Sequence, residues 1–336
     1  MANRMRMIVV GAGRGRAHLR SFLALPDVFE VVGVVDLDED RLDNVLSEFK
    51  LESARGFTSY EKALTESGCD GVMIATWART HGALAKPALD AGRHLLLEKP
   101  FSLDIREAKD LLDVAEERNL KIVVIQQWRF LPGLRTFRRL LSSGVFGEPQ
   151  VGHMASYKAR GGEYPDSPHS QLWQMTVHEI DALIAIMNQP VVEVFGHSYR
   201  PPETTWKRES TVTAELTFQN GCRVVMVSTS DARVNSMEVR VECENAALIY
   251  QNTGSFGGTE SLWGSKKGES ELVPLPLDDG PKEPTMLDRH IAGAFADWVN
   301  GGPEPETSGR NNLQVLGTLD ALLRSGSSGK AEKVAL

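Results

Sequence analysis

Val9-Val10-Gly11-Ala12-Gly13-Arg14-Gly15-Arg16-Ala17-His18 carries a short apolar run into a turn with three glycines. An apolar strand that ends in such a turn opens a dinucleotide-binding unit. The glycines let the backbone approach a pyrophosphate, and the following helix N-terminus offers free N–H groups and the positive end of its dipole. The spacing here is Gly11-x-Gly13-x-Gly15, one residue shorter than the usual G-x-G-x-x-G. The plain alternative is an ordinary strand-to-helix turn. Asp36 tips the balance: it ends the next apolar run, roughly 20 residues on, where an acidic side chain accepts from a ribose 2′-hydroxyl and repels a 2′-phosphate. NAD is therefore expected before NADP, although Arg14, Arg16 or Arg41 offer charge to a phosphate.

Working outward, apolar runs recur at 7–10, 31–35, 71–75, 94–97 and 121–125, with helix-like segments between them. Continuous apolar runs belong to strands covered on both faces, and their alternation with helices means βαβ units in a doubly wound parallel sheet. Between two of the runs, 103–118 reads as a helix with Asp104 and Glu107 at capping-box spacing. The fourth run ends in Glu98-Lys99-Pro100. Proline holds the residue before it in an extended conformation, which aims the Lys99 ammonium at the carboxyl edge of the sheet. A surface lysine paired with its neighbour is the alternative.

Beyond about residue 126 the pattern changes to segments of alternating polarity at 191–198, 212–218, 222–230, 237–243 and 246–250, with helices at 134–141, 172–187 and 287–300. Asn220-Gly221 between two of these segments is a hairpin signal. The expected architecture is α/β: a Rossmann domain over 1–126, then an α+β domain with an open, largely antiparallel sheet over 127–310. The helix at 311–324 returns to the first domain. A net charge of −8 argues against nucleic acid, and Arg135, Arg138 and Arg139 read as one solvated helix face. The three cysteines are far apart, which suits buried free thiols in a reducing compartment better than disulfides or a metal site. With no signal peptide and no long apolar run, a soluble cytoplasmic protein without membrane partners is expected.

The sequence resembles the Gfo/Idh/MocA oxidoreductases over nearly its whole length. The matching pieces are the glycine turn with His18, then Asp36, and Ala88-Leu89-Asp90-Ala91-Gly92-Arg93-His94 leading to Glu98-Lys99-Pro100. Gln127-Trp128-Arg129-Phe130 and His178-Glu179-Ile180-Asp181 complete the set. The resemblance implies a nicotinamide-dependent dehydrogenase of sugars or cyclic polyols, Lys99 beside the nicotinamide and the substrate hydroxyl, His178 as acid/base, and a homodimer or homotetramer. A base with a titration point near neutrality suits removal of a hydroxyl proton, and an ammonium favours a developing alkoxide. For His178 the alternative is a capping or core histidine.

Two departures stand out. Many members carry an aspartate four residues before that histidine; Gln174 stands here and cannot carry a proton, while Asp181 is an anchor for the helix. Thr76-Trp77-Ala78 replaces a common Thr-Pro-Asn, and Trp77 either stacks on the cofactor or fills core. His81, in the same loop, is structural or lies near the cofactor. Candidate substrate contacts are Arg129, Tyr157, Lys158, Arg160, His169, Trp173 and Gln174, with Lys99 and His178 themselves. A redox-neutral glycosidase using transient oxidation, and a non-catalytic NAD- or sugar-binding regulator, are the rival readings.

Overall fold

The computed structural model describes residues 4–51, 53–160, 169–254, 258–280 and 284–336. Its strands are β1 (Met5–Val10), β2 (Phe29–Val35), β3 (Arg55–Phe57), β4 (Gly71–Ile74), β5 (His94–Glu98), β6 (Ile122–Ile125), β7 (Pro149–Ala159) and β8 (Val191–Tyr199). They continue with β9 (Thr211–Phe218), β10 (Arg223–Thr229), β11 (Asp231–Cys243), β12 (Ala246–Asn252), β13 (Glu260–Lys266), β14 (Val273–Leu275) and β15 (Glu332–Lys333). The helices are α1 (Gly15–Leu23), α2 (Glu39–Glu48), α3 (Tyr60–Glu66), α4 (His81–Asp90), α5 (Ile105–Glu117), α6 (Pro132–Ser142), α7 (Val177–Met187), α8 (Pro284–Val299) and α9 (Gly309–Ser328).

The first compact unit comprises 1–126 with 285–313. Its six strands are all parallel, in the order β3-β2-β1-β4-β5-β6. That is the doubly wound order whose direction reverses between β1 and β4, and the ends of those strands are where such sheets bind ligands. The central strands are apolar because both faces are covered: Ile8, Val9, Met73, Leu95, Leu96, Leu97, Val123 and Val124 are wholly buried. The N-terminus of α5 differs from the expected box. Asp104 caps Arg106 N, but Glu107 accepts from Ser102 Oγ, which itself accepts from Asp104 N, so the serine stands between the two ends of the box.

The second unit comprises 127–284 with 314–336. Its sheet has nine strands, ordered β14-β13-β12-β11-β7-β10-β9-β8-β15, antiparallel except for β7 beside β10. The Asn220-Gly221 hairpin joins β9 to β10, with Gly221 at φ +86° and Cys222 N donating to Asn220 Oδ1. One face carries buried Met154, Ser156, Lys158, Met226 and Ser228, whereas Val151, Tyr157, Phe195 and Val225 are exposed on the other.

The returning segment is 285–313, not the helix at 311–324. Residues 285–313 belong to the first unit, where Val124 N donates to Thr307 O and Arg310 pairs with Glu116. From Gln314 the chain belongs to the second unit, through Gln314 Nε2 on Val191 O and Gly196 N on Ser325 Oγ. Cys69 and Cys222 are buried free thiols, but Cys243 is only half-buried. Arg135 and Arg139 are exposed, Arg139 paired with Asp278, whereas Arg138 is half-buried. No helix among the described residues is long and apolar enough to cross a membrane.

Candidate active site

In the first unit the three glycines have three different reasons to be glycine. Gly11 has φ +93°, and a Cβ there would stand 2.7 Å from Ala75 O. At Gly15, where α1 starts, a Cβ would stand 2.7 Å from Val9 Cγ1, so this glycine lets helix and strand pack closely. A Cβ on Gly13 would meet nothing within 4 Å. Open space at the middle glycine, between a strand end and a helix N-terminus, fits the approach of a pyrophosphate. Asp36 follows β2; it accepts from Ala12 N at 2.8 Å and from Asp38 N at 3.1 Å, and Arg41 pairs with it at 3.2 Å.

Glu98 ends β5 in a buried position and gathers the cations around it. His18 Nε2, on α1, lies 2.8 Å from Glu98 Oε1, and Arg14 Nε donates to the same oxygen at 2.5 Å. Burial alone would raise this carboxyl, but the His18 hydrogen bond and the charges of His18, Arg14 and Lys99 hold it far below the usual carboxylate range. Arg14 reaches a second carboxylate, Asp288 on α8, at 3.5 Å. Burial works against its charge, yet Glu98 and Asp288 keep it raised. Arg14, a cofactor candidate by sequence, is therefore held between two carboxylates of its own unit. The Lys99 side chain is half-buried, and its backbone N–H donates to Glu98 Oε2 at 3.3 Å.

His81, wholly buried at the start of α4, spans two strand ends: Nδ1 lies 2.7 Å from Pro100 O and Nε2 3.2 Å from Thr76 O. Burial keeps this imidazole below its ordinary value despite both contacts. It ties the loop after β4 to the loop after β5. Thr76 and Thr80 share a hydroxyl contact at 2.7 Å, and Trp77 is 60% exposed. Trp77 does not fill core.

In the second unit His178 lies in the first turn of α7, and its imidazole stacks on Trp128 with centroids 5.2 Å apart and planes 12° from parallel. Trp128 and Arg129 sit in a 3-10 turn, 128–130. Arg129 is buried and forks onto Asp181, with Nε donating to Oδ2 at 2.9 Å and a second bond to Oδ1. This pairing engages the Arg129 guanidinium, which the sequence reading had offered to substrate. Lys158 is fully buried, ion-paired with Glu179, and its Nζ lies 5.2 Å over the Trp128 ring. Burial lowers the Lys158 ammonium and Glu179 opposes that shift. Ser228 Oγ donates to Glu179 Oε1 at 3.1 Å and accepts from Gln171 Nε2 at 3.2 Å.

The other substrate candidates are scattered. Tyr157 points to the opposite sheet face from Lys158 because neighbours on a strand alternate. Arg160 is exposed beyond the end of β7, and His169 pairs with Glu209 at 3.1 Å. Residues 161–168, between Arg160 and His169, lie outside the described residues. Trp173 is buried and Gln174 half-buried in a π-helical turn, 171–176, that precedes α7. The wider turn changes the expected one-turn relation between Gln174 and His178. Helix α7 is buried nearly all round. Sequence reasoning missed Asp288, the link from His18 to Glu98, and the Lys158–Glu179 pair.

The chain is similar to known proteins over both of its units. Residues 5–126 match the model described as an oxidoreductase family with an NAD-binding Rossmann fold, and residues 134–249 match the corresponding C-terminal domain. Inositol 2-dehydrogenase 3 of Saccharopolyspora erythraea is 25% identical over 262 residues, 77% of this chain and 73% of that one. A putative NADPH-dependent oxidoreductase of Desulfitobacterium hafniense superposes with a TM-score of 0.86 at 19% identity, covering 99% of this chain and 98% of the other. The WlbA dehydrogenase of Bordetella pertussis, solved with NADH and UDP-GlcNAcA, gives 0.83 at 20% identity over 99% and 100%.

Proposed function

Because the chain belongs to the Gfo/Idh/MocA oxidoreductase family, we propose that it oxidises a secondary hydroxyl of a sugar, cyclic polyol or sugar derivative, with NAD as hydride acceptor. The observation that carries this reading is the end of β5. Glu98 is held by His18 and Arg14, and Lys99 follows at the carboxyl edge of a sheet whose glycine turn has open space at Gly13. When bound, the nicotinamide supplies the place for the hydride to go.

This chain's residues handle the rest. The Lys99 ammonium hydrogen-bonds the substrate oxygen and favours its anionic form as the O–H proton departs. His178 accepts that proton. Gln174 is a hydrogen-bonding contact for a neighbouring hydroxyl. Asp36 takes the ribose hydroxyls, and Arg41, already on Asp36, neutralises it rather than recruiting a 2′-phosphate. Trp77 lies exposed after β4 as a platform for the cofactor. The exposed Val151, Phe195 and Val225 form the sheet face on which a second copy would bury apolar surface.

The test is NADH absorbance on mixing the protein with NAD and a panel of inositols, aldoses and sugar nucleotides. A rise lost in Lys99→Ala and lowered at least 100-fold in His178→Gln is expected. Tight NAD binding with no rise on any substrate would overturn the dehydrogenase reading. Equal rates with NADP would overturn the role given to Asp36.

A further inference from the structure

We infer that Asp38 is a specificity-determining residue for the cofactor, acting through Arg41: it holds that guanidinium on Asp36 and so denies it to a 2′-phosphate. The inference deepens the NAD reading and rests on Asp36 taking the ribose hydroxyls. Asp36 is placed without help from Arg41. Its Oδ2 accepts from Ala12 N at 2.8 Å and its Oδ1 from Asp38 N at 3.1 Å. Arg41 is a further partner of the same carboxylate, with Nη1 3.2 Å from Oδ1 and 3.4 Å from Oδ2. Its other terminal nitrogen, Nη2, lies 3.2 Å from Asp38 Oδ2. Asp38 Oδ1 meanwhile accepts from Arg41 N at 3.0 Å and caps α2. One carboxylate thus grips both the backbone and the side chain of Arg41.

Three arginines stand near enough in sequence to serve a phosphate, and each has a carboxylate partner. Arg14 lies between Glu98 and Asp288. Arg16 donates through Nε to Glu48 Oε2 at 2.8 Å and through Nη1 to Ala12 O at 3.0 Å. The other charged residues in the first turn of α2, Glu39 and Asp40, are acidic and offer a phosphate nothing. Turning Arg14 away would take a cation from buried Glu98. Arg41 and Asp38, by contrast, are each 46% exposed. An exposed ion pair is weak, whereas a guanidinium–phosphate contact is charge-assisted and stronger. Arg41 is therefore the cation most readily turned to a 2′-phosphate, and its second carboxylate is what opposes that turn.

The experiment titrates NADH and NADPH into the full chain by fluorescence and reads the ratio of the two dissociation constants. Asp38→Asn keeps the capping oxygen and puts an amide donor in place of the other, which Arg41 Nη2 cannot use. It is expected to narrow the preference for NADH about five- to tenfold. Asp38→Ser, which caps α2 with its one hydroxyl, should narrow it as well. The same substitutions in an Arg41→Gln background should leave the ratio within about twofold of Arg41→Gln alone, since Asp38 acts through Arg41. A ratio unmoved by Asp38→Asn, or a narrowing that persists without Arg41, would overturn the inference and leave the NAD reading standing. Failure of the unaltered chain to bind NADH would overturn that reading and the inference with it.

Discussion

The three glycines of the first turn separate a cofactor cradle from an ordinary turn, since each alanine substitution fails for a different reason. At Gly11 a methyl group meets the Ala75 carbonyl oxygen at 2.7 Å, and the backbone at φ +93° is hostile to any side chain. Left-handed strain of about 1–2 kcal/mol adds to overpacking of about 1–3 kcal/mol. Gly11→Ala should lose about 2–5 kcal/mol, or roughly 5–15 °C of Tm in a domain of this size. At Gly15 the obstacle is Val9 Cγ1, also at 2.7 Å, and the cost is about 1–2 kcal/mol because alanine favours the helix it starts. Gly13→Ala meets nothing within 4 Å and its φ is not left-handed, so stability should hold or rise by about 0.4–1 kcal/mol. Its effect should fall on binding alone: a methyl group where the pyrophosphate approaches weakens NADH by at least tenfold, about 1.4 kcal/mol. Calorimetric melting and an NADH fluorescence titration on the three variants decide the matter. A Gly13→Ala protein that melts normally and binds NADH like the wild type would refute the reasoning, since Gly13 would then be no part of a cradle.

Two further outcomes follow from the buried charges. The Glu98 carboxyl is held low in the folded state, so its contribution is complete above the ordinary glutamate range and fades as pH falls below about 4–5. Glu98→Gln should cost about 2–3 kcal/mol at pH 7, and urea titrations from pH 7 to pH 3 should show the gap to wild type narrowing. Lys158→Met strands Glu179 without its cation in the interior and should cost about 3–5 kcal/mol. Adding Glu179→Leu should restore much of it, as measured by urea midpoints.

The residues that made the fold legible are those whose burial shows as a pattern in one dimension. The strands β1, β2, β4, β5 and β6 read directly as apolar runs, because a sheet covered on both faces leaves no room for alternation. By contrast β3 has only three residues, two of them exposed, and carries no pattern to read. The strand β13 alternates weakly, with Ser261, Gly264 and Ser265 among its seven residues. Both were missed for that reason.

The candidate site divides along the same line. Lys99 and His178 are legible as motif positions, since Glu98-Lys99-Pro100 and His178-Glu179-Ile180-Asp181 are contiguous in the chain. Their support is not. Lys158 meets Glu179 across 21 residues of sequence, and Arg14 meets Asp288 from opposite ends of the chain. Hydrophobic periodicity assigns such residues to a polar face, where a charge is solvated and needs no partner. Once the structure shows Lys158, Glu179 and Asp288 to be buried, that reading becomes untenable: an isolated interior charge is too costly to keep, so each must have a counter-charge. The side chains that the sequence treats as most ordinary are therefore the ones whose partners the fold has most strictly determined.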